Sequence, residues 1–442
     1  MKGYPKYKPS LVEWIGQVPN EWKEIRTKFV AKLNPTKGLS GFDKSSSEEV
    51  VFLPMEKVKE SGEFETDTRK PVSELWNGFT YFAENDIIVA KITPCFENGK
   101  GALLENLGSP IGFGSTEFHV LRSYANMSDR KFLYNITRSH PFKAIGEAFM
   151  TGAAGQKRVP QSFIEDYLIP LPPLPEQKAI ASFLNEKTKQ IDMLIEKKQR
   201  MIELLKEERQ AVINEAVTKG VNPKAKMKDS GIEWLGEIPE QWKVKKLKYV
   251  IASVIGGSTP STDNGKYWDG DIPWVSAKDM KQDRIIESTD YITPLALDSN
   301  SLQMIAVGSV IAVFRSGILK HTFPVSITDI PITINQDLKA FRFYRDYQNY
   351  YVFHLFKGLN EKIISFCTKQ GATVDSIDIE AFFNFKIPIP PLAEQQGITA
   401  FIDEKTKHFN TTIEKAEEAI ELLQEYRTAL ITEVVTGKVC VI

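Results

Sequence analysis

Ile169-Pro170-Leu171-Pro172-Pro173-Leu174-Pro175-Glu176-Gln177 decides the fold, because it is written a second time as Ile387-Pro388-Ile389-Pro390-Pro391-Leu392-Ala393-Glu394-Gln395. Each proline run reads as a stiff, extended lead-in. The residues beyond it read as a long helix. Pro175 suits a first helical turn, Glu176 complements the positive end of the helix dipole, and Gly220 and Gly437 mark the two exits. A seven-residue spacing runs through both copies. Leu184, Ile191, Lys198, Leu205 and Val212 form one row beside Thr188, Ile195, Ile202, Arg209 and Ala216. In the second copy Ile402, Phe409, Ala416, Leu423 and Leu430 stand beside Thr406, Ile413, Ile420, Arg427 and Val434. Such rows are the seams of a coiled coil, with some polar positions. Pro175 to Thr218 as one helix would be about 65 Å long at 1.5 Å per residue.

The repetition extends upstream. Trp14-Ile15-Gly16-Gln17-Val18-Pro19-Asn20-Glu21-Trp22 returns 220 residues later as Trp234-Leu235-Gly236-Glu237-Ile238-Pro239-Glu240-Gln241-Trp242, so the chain is two halves of nearly equal length. Between the repeated blocks lie Glu24 to Leu168 and Val244 to Lys386, which resemble each other little. Asp86 to Lys91 and Gly308 to Phe314 read as strands, with helical patterns around Arg130 to Ile145 and Arg345 to Ser365. Each segment is expected to be a compact α+β domain. A chain that keeps its scaffold twice while its domains differ is suited to presenting two unlike surfaces at a fixed separation.

Composition sets the limits. Of 442 residues, 42% are hydrophobic and 26% charged, enough to bury cores in more than one domain and too apolar for a disordered chain. Met1 to Ser10 has no apolar block behind it, and the longest apolar run, Met304 to Phe314, contains Gly308 and Ser309 and stops at Arg315. That is short of the roughly 18 residues that a spanning helix needs. The expectation is a soluble, cytoplasmic protein without a membrane partner. Cys95, Cys367 and Cys440 are too few and too scattered for a disulfide framework. The net charge of -1 does not announce nucleic acid, although the acidic second helix leaves the rest mildly basic.

A catalytic site is hard to find. Asn98-Gly99-Lys100-Gly101 and Asn264-Gly265-Lys266-Tyr267 lack the hydroxyl residue of a phosphate loop. His119, His140, His321, His354 and His408 have no Cys or His partner at metal-ligand spacing and read as surface or satisfied core residues. Gly112-Phe113-Gly114-Ser115 suggests a glycine-rich turn but lacks the third glycine of a dinucleotide loop. The Asn/Asp-Pro-Pro-aromatic motif with which amino-methyltransferases hold a base is absent; Pro172-Pro173 and Pro390-Pro391 are followed by Leu174 and Leu392. No catalytic residue, metal or cofactor is expected.

Together these residues resemble the specificity subunit of bacterial Type I restriction-modification systems over nearly the whole chain. Trp14 to Trp22 and Trp234 to Trp242 match the family's opening block of each half, and the proline runs from Ile169 and Ile387 match its close. Gly256-Gly257-Ser258-Thr259-Pro260, with Tyr267-Trp268 and Asp271-Ile272-Pro273-Trp274-Val275, resembles the start of one class of its recognition domains. Thr151 to Arg158 resembles the end of another. The resemblance implies target-recognition domains at 1–168 and 221–386, alternating with spacers at 169–220 and 387–442. The spacer helices would pair as an antiparallel coiled coil with a pseudo-twofold internal repeat. It implies a subunit that does no chemistry itself. Its partners would be double-stranded DNA with a split site, two methylation subunits and, through them, restriction subunits.

Bases are read by Arg, Lys, Asn, Gln, Ser and Thr on groove edges, while most hydrogen bonds go to phosphate. The candidate DNA contacts are Lys91, Lys100, Gln156, Lys157 and Arg158 in the first domain. In the second they are Ser258, Thr259, Lys278, Arg315, Lys369, Gln370 and Thr373. Tyr267 and Trp268 read as packing residues. The rival reading is a coiled-coil scaffold that joins two proteins and never touches DNA.

Overall fold

The proline run opens as a short strand. Leu168–Leu171 pairs antiparallel with Lys23–Arg26, Pro170 opposite Glu24, and Lys386–Ile389 pairs with Lys243–Lys246, Pro388 opposite Val244. A two-stranded ribbon leaves one edge of each strand unpaired, so a proline without an N–H is tolerated. Each lead-in is therefore extended and also fastened to the block that begins its own half. The long helices come next as Leu174–Lys219, 46 residues, and Leu392–Val435, 44 residues. The twenty positions of the heptad rows are all buried or half-buried, whereas Met193, Leu194, Met201 and Leu204 beside them are exposed. The seven-residue period thus marks the covered face.

The computed structural model describes every residue except Met1, Ser40, Ala154, Asn300, Ser301, Gln370, Gly371, Ala372, Thr373 and Ile442. Among the described residues no helix is long and apolar enough to cross a membrane. The chain divides into two units, Met1–Gln199 with Glu418–Ile442, and Arg200–Glu417.

In the first unit two four-stranded sheets carry the segment between the repeated blocks. One has the order Arg69–Pro71, Glu49–Leu53, Ile111–Gly114, Thr80–Ala83; the other Ala31–Leu33, Phe118–Ser123, Ile87–Ala90, Gly101–Leu103. Gly112 and Gly114, read as part of a turn, lie instead in a buried strand. A Cβ at either would strike the Phe82 ring and the backbone of Val51 or Leu53. The main core joins the domain helices to Ile180, Leu184 and Ile191 of one long helix and to Leu430, Ile431, Val434 and Val435 of the other.

The second unit has a five-stranded sheet, Ile251–Gly256, Leu338–Phe343, Val310–Val313, Val325–Thr328, Arg284–Ile285, and a three-stranded sheet, Asp290–Ile292, Trp268–Val275, Thr333–Ile334. Its large core takes in Ile213, Ala216 and Val217 of the first long helix and Ile398 and Ile402 of the second. Tyr267 and Trp268 pack on a small core around Trp274 and Ile292, as the sequence suggests.

Each helical pattern inside the domains is a pair of short helices rather than one. Arg130–Arg138 gives way to His140–Ala148 at Ser139, whose backbone is extended, and Pro141 then begins the new helix because it cannot continue the old one. Asn349–Gly358 and Asn360–Cys367 are divided at Leu359.

Gly220 and Gly437 end the long helices with φ of 79° and 75°. Gly437 lies against Pro19 and Trp22, as Gly220 lies against Pro239 and Trp242. A Cβ at Gly437 would collide with the Pro19 ring, so Gly437→Ala combines a left-handed backbone with a clash. It is expected to destabilise the first unit by ~1–3 kcal/mol. Gly16→Ala, at φ 73° with open space around it, is expected to cost less. Thermal unfolding of the two variants compares them directly, and equal losses would show that the Pro19 contact contributes nothing.

Candidate nucleic-acid interface

Three pieces meet in each half: the end of a fully buried strand, a carboxylate just before the last strand of the sheet, and the loop after the second short helix. In the first unit the strand is Ile87–Ala90. Lys91 comes directly after it, donating its N–H to the Glu117 carbonyl at 2.9 Å and accepting from the Val159 N–H at 2.8 Å. Arg158 forks onto the Glu117 carboxylate, Nε to Oε2 at 3.0 Å and Nη2 to Oε1 at 2.8 Å. That guanidinium holds the Glu117 carboxyl below the usual carboxylate range. Gln156 and Lys157 are exposed, yet their loop is tied down, since the Lys157 carbonyl accepts from the Thr93 N–H at 3.0 Å and the Thr93 hydroxyl at 3.1 Å. Lys100 sits in the neighbouring segment; its carbonyl accepts from the Ala90 N–H, and its ammonium donates to the Met55 carbonyl at 3.1 Å. A cavity of about 430 Å³ opens beside Lys91, lined by Asn34, Lys37, Tyr81 and Phe118 among others.

His119 anchors the same loop. It is buried with Nε2 2.9 Å from the Val159 carbonyl, and burial holds its pKa below the ordinary imidazole value. The ring is therefore a structural hydrogen-bonding group.

In the second unit the strand is Val310–Val313. Arg315 lies just beyond it, its Nε 2.6 Å from Asp337 Oδ1 and its own N–H donating to the Asp337 carbonyl at 3.2 Å. Arg315 also bridges to Ser376, and the exposed Lys369 donates its N–H to the Ser376 carbonyl at 2.9 Å. Gln370 and Thr373 lie outside the described residues. Thr259 bonds through its hydroxyl to the side chain of Gln336, the residue before Asp337, and the Ser258 carbonyl accepts from Trp274 Nε1 at 3.1 Å. Lys278 stands apart, paired with Asp290 at 2.6 Å in the three-stranded sheet.

Of the sequence candidates, then, Lys91, Lys100, Gln156, Lys157 and Arg158 gather around one strand end. Thr259, Arg315 and Lys369 gather around its counterpart, while Ser258, next to Thr259 in the chain, is bonded to Trp274. Glu117 and Asp337 were missed, because an acid is a poor choice for a phosphate or a guanine edge. One signal could have found them: they are 220 residues apart, the same shift that relates Trp14 to Trp234. A bidentate carboxylate fixes the plane of an arginine before any ligand arrives. The arrangement thus offers oriented N–H donors, lysines and an exposed amide on a tethered loop, which suits hydrogen bonding to a groove edge or phosphate. Among the described residues no group of three or more His, Cys, Asp or Glu could hold a metal ion.

The comparisons with known proteins agree with the duplication. The EcoAI specificity subunit of Escherichia coli is 42% identical over 168 residues, 37% of this chain. The chain spans only 27% of that relative's length. The putative type I restriction enzyme MjaX specificity subunit of Methanocaldococcus jannaschii is 24% identical over 434 residues, covering 96% of this chain and 95% of its own. A chain from a solved structure of the type I R-M system, 18% identical, superposes with a TM-score of 0.75 over 96% of this chain and 99% of that one, a likeness of fold. Residues 19–204 and 239–422 each match the model of the Type I restriction modification DNA specificity domain. With most of its length matched, one stretch in each half, the chain belongs to the family of the Type I restriction modification DNA specificity domain.

Proposed function

We propose that this chain is the non-catalytic specificity subunit of a Type I restriction-modification complex, reading a split site on double-stranded DNA in the cytoplasm. Recognition domains at 1–168 and 221–386 each read one half of the site. The spacers at 169–220 and 387–442 pair as an antiparallel coiled coil and set the unread gap. Two methylation subunits, and restriction subunits through them, are directed to that site. The observation that carries this reading is the repeated strand end, carboxylate and loop in both halves, filled with different side chains: Gln156, Lys157 and Arg158 against Arg315 and Lys369.

The register of the long helices supports antiparallel pairing. In one unit Arg427 meets Asp192 at 2.8 Å; in the other Arg209 meets Asn410 at 2.6 Å. Seventeen residues forward along one helix, from 192 to 209, correspond to seventeen backward along the other, from 427 to 410. The matched lead-in strands and glycine exits support a pseudo-twofold repeat.

The test is selection from a mixed duplex pool by the chain purified with its partner subunits. Enrichment of one bipartite sequence is the expected result; binding with no sequence enrichment would reject the reading in favour of a protein scaffold. The chain purified alone is expected to show no nuclease, methyltransferase or ATPase turnover, and activity from partner-free protein would overturn its non-catalytic assignment.

A further inference from the structure

Gln177 and Gln395 occupy the same place in the first turn of each long helix, and each is only 1% exposed. Gln177 Oε1 accepts from the Asp129 N–H at 2.8 Å, while its Nε2 donates to the carbonyls of Met127 at 3.2 Å and Pro172 at 2.9 Å. Gln395 repeats this set. Its Oε1 accepts from the Gln348 N–H at 2.9 Å, and its Nε2 donates to the carbonyls of Asp346 at 3.2 Å and Pro390 at 3.0 Å. Asp129 and Gln348 are the residues that begin the domain helices Arg130–Arg138 and Asn349–Gly358. One amide therefore ties together the proline lead-in, the start of the long helix and the turn before the domain helix. Both donor hydrogens are used, so only an amide of this length serves.

The neighbouring glutamates do not match in this way. Glu176 accepts from Trp22 Nε1 at 3.1 Å, whereas Glu394 accepts from the Gln241 side chain at 3.0 Å and the Trp242 indole N–H has no hydrogen-bond partner among the described residues. The glutamine clamp is kept bond for bond where its surroundings have drifted.

We infer that Gln177 and Gln395 are positioning residues for gap discrimination. Each fixes the angle at which a recognition domain meets its helix, and so the DNA spacing the chain accepts, without touching a base. This rests on the split-site reading above. The leverage is large. From Gln177 to Lys219 the helix runs about 60 Å at 1.5 Å per residue. A tilt of about 5° at the clamp would move its far end by roughly 5 Å, more than the ~3.4 Å rise of one base pair. Leucine in place of the glutamine fills similar space but leaves one buried N–H and two carbonyls without a partner, so the directional bonds at the helix start are lost and only the apolar packing of the core holds the angle.

The experiment uses the full chain with its partner subunits. Binding is measured to duplexes carrying the selected half-sites at the preferred gap and at gaps one and two base pairs longer and shorter. Gln177→Leu and Gln395→Leu are each expected to lower the preference for the correct gap over a one-pair shift by roughly tenfold, with the same bases read in both half-sites. A core variant, Ile164→Val, serves as the control: it is expected to reduce thermal stability and leave the gap preference sharp. Affinity that falls equally at all gaps in the leucine variants would overturn the inference, as would a control that blurs the gap to the same degree. If one leucine variant does not fold, the other breaks the clamp in the opposite half and decides alone. Absence of any gap preference in the wild-type complex would instead overturn the split-site reading, and this inference with it.

Discussion

Exchanging residues 24–168 for the corresponding segment of a relative with another specificity is expected to replace one half of the recognised sequence and leave the other half unchanged. The physical ground is the separation of the cores. The two sheets of the first domain close on clusters around Val51, Phe82 and Phe113. The second domain closes on its own cluster around Phe323, Phe341 and Phe356. What the graft must preserve is the seam with the scaffold. Lys23–Arg26 pairs with Leu168–Leu171 through backbone hydrogen bonds, which do not depend on side-chain identity, Gln177 holds backbone groups at Met127 and Asp129, and the graft must also keep apolar residues against Ile180, Leu184 and Ile191. Each wrong base pair typically costs ~1–3 kcal/mol, so a half-site changed at two positions is expected to lose roughly a hundredfold or more in binding. Methylation mapping of DNA modified by the chimeric complex reads the outcome. Alteration of both halves would mean that the domains do not read independently.

The second large effect is expected from the helix itself. Inserting four residues within Lys197 to Glu208 should lengthen the gap and leave both half-sites as they were. The segment is the natural place for it: the first long helix is committed to the domain cores at Ile180, Leu184 and Ile191 and again at Ile213, Ala216 and Val217. Between these, Lys198 and Leu205 are half-buried and Ile202 is buried. Four residues add about 6 Å of helix, between one and two base-pair rises of ~3.4 Å. They also turn the downstream face by about 40°, because 3.6 residues make a turn. Mapping the methylated sites of the variant measures the gap. An unchanged gap would remove the helices as the determinant of spacing, whatever became of the half-sites.

The two predictions draw on different kinds of legibility. The helices could be located in the sequence almost to the residue, Pro175 to Thr218 against Leu174–Lys219, because a seven-residue period, a proline start and a glycine exit are all local signals. Candidate contacts were legible only by residue type. Lys100 and Lys278 are candidates as cations alone, yet the Lys100 ammonium is bonded to the Met55 carbonyl and Lys278 is paired with Asp290. The short helices 130–138 and 140–148 were read as one pattern because the apolar spacing runs on across Ser139, while the break depends on the backbone there.

By itself the sequence determined that this protein is a scaffold written twice around two unlike α+β segments, since a repeat and a helical period are visible without any contact between distant residues. Only the tertiary structure decided where Arg158 and Arg315 rest, on Glu117 and Asp337, and that Gln177 and Gln395 each bind three backbone groups. Those bonds join residues up to 50 positions apart, and whether such groups meet is set by strand order and helix packing, which no local pattern encodes.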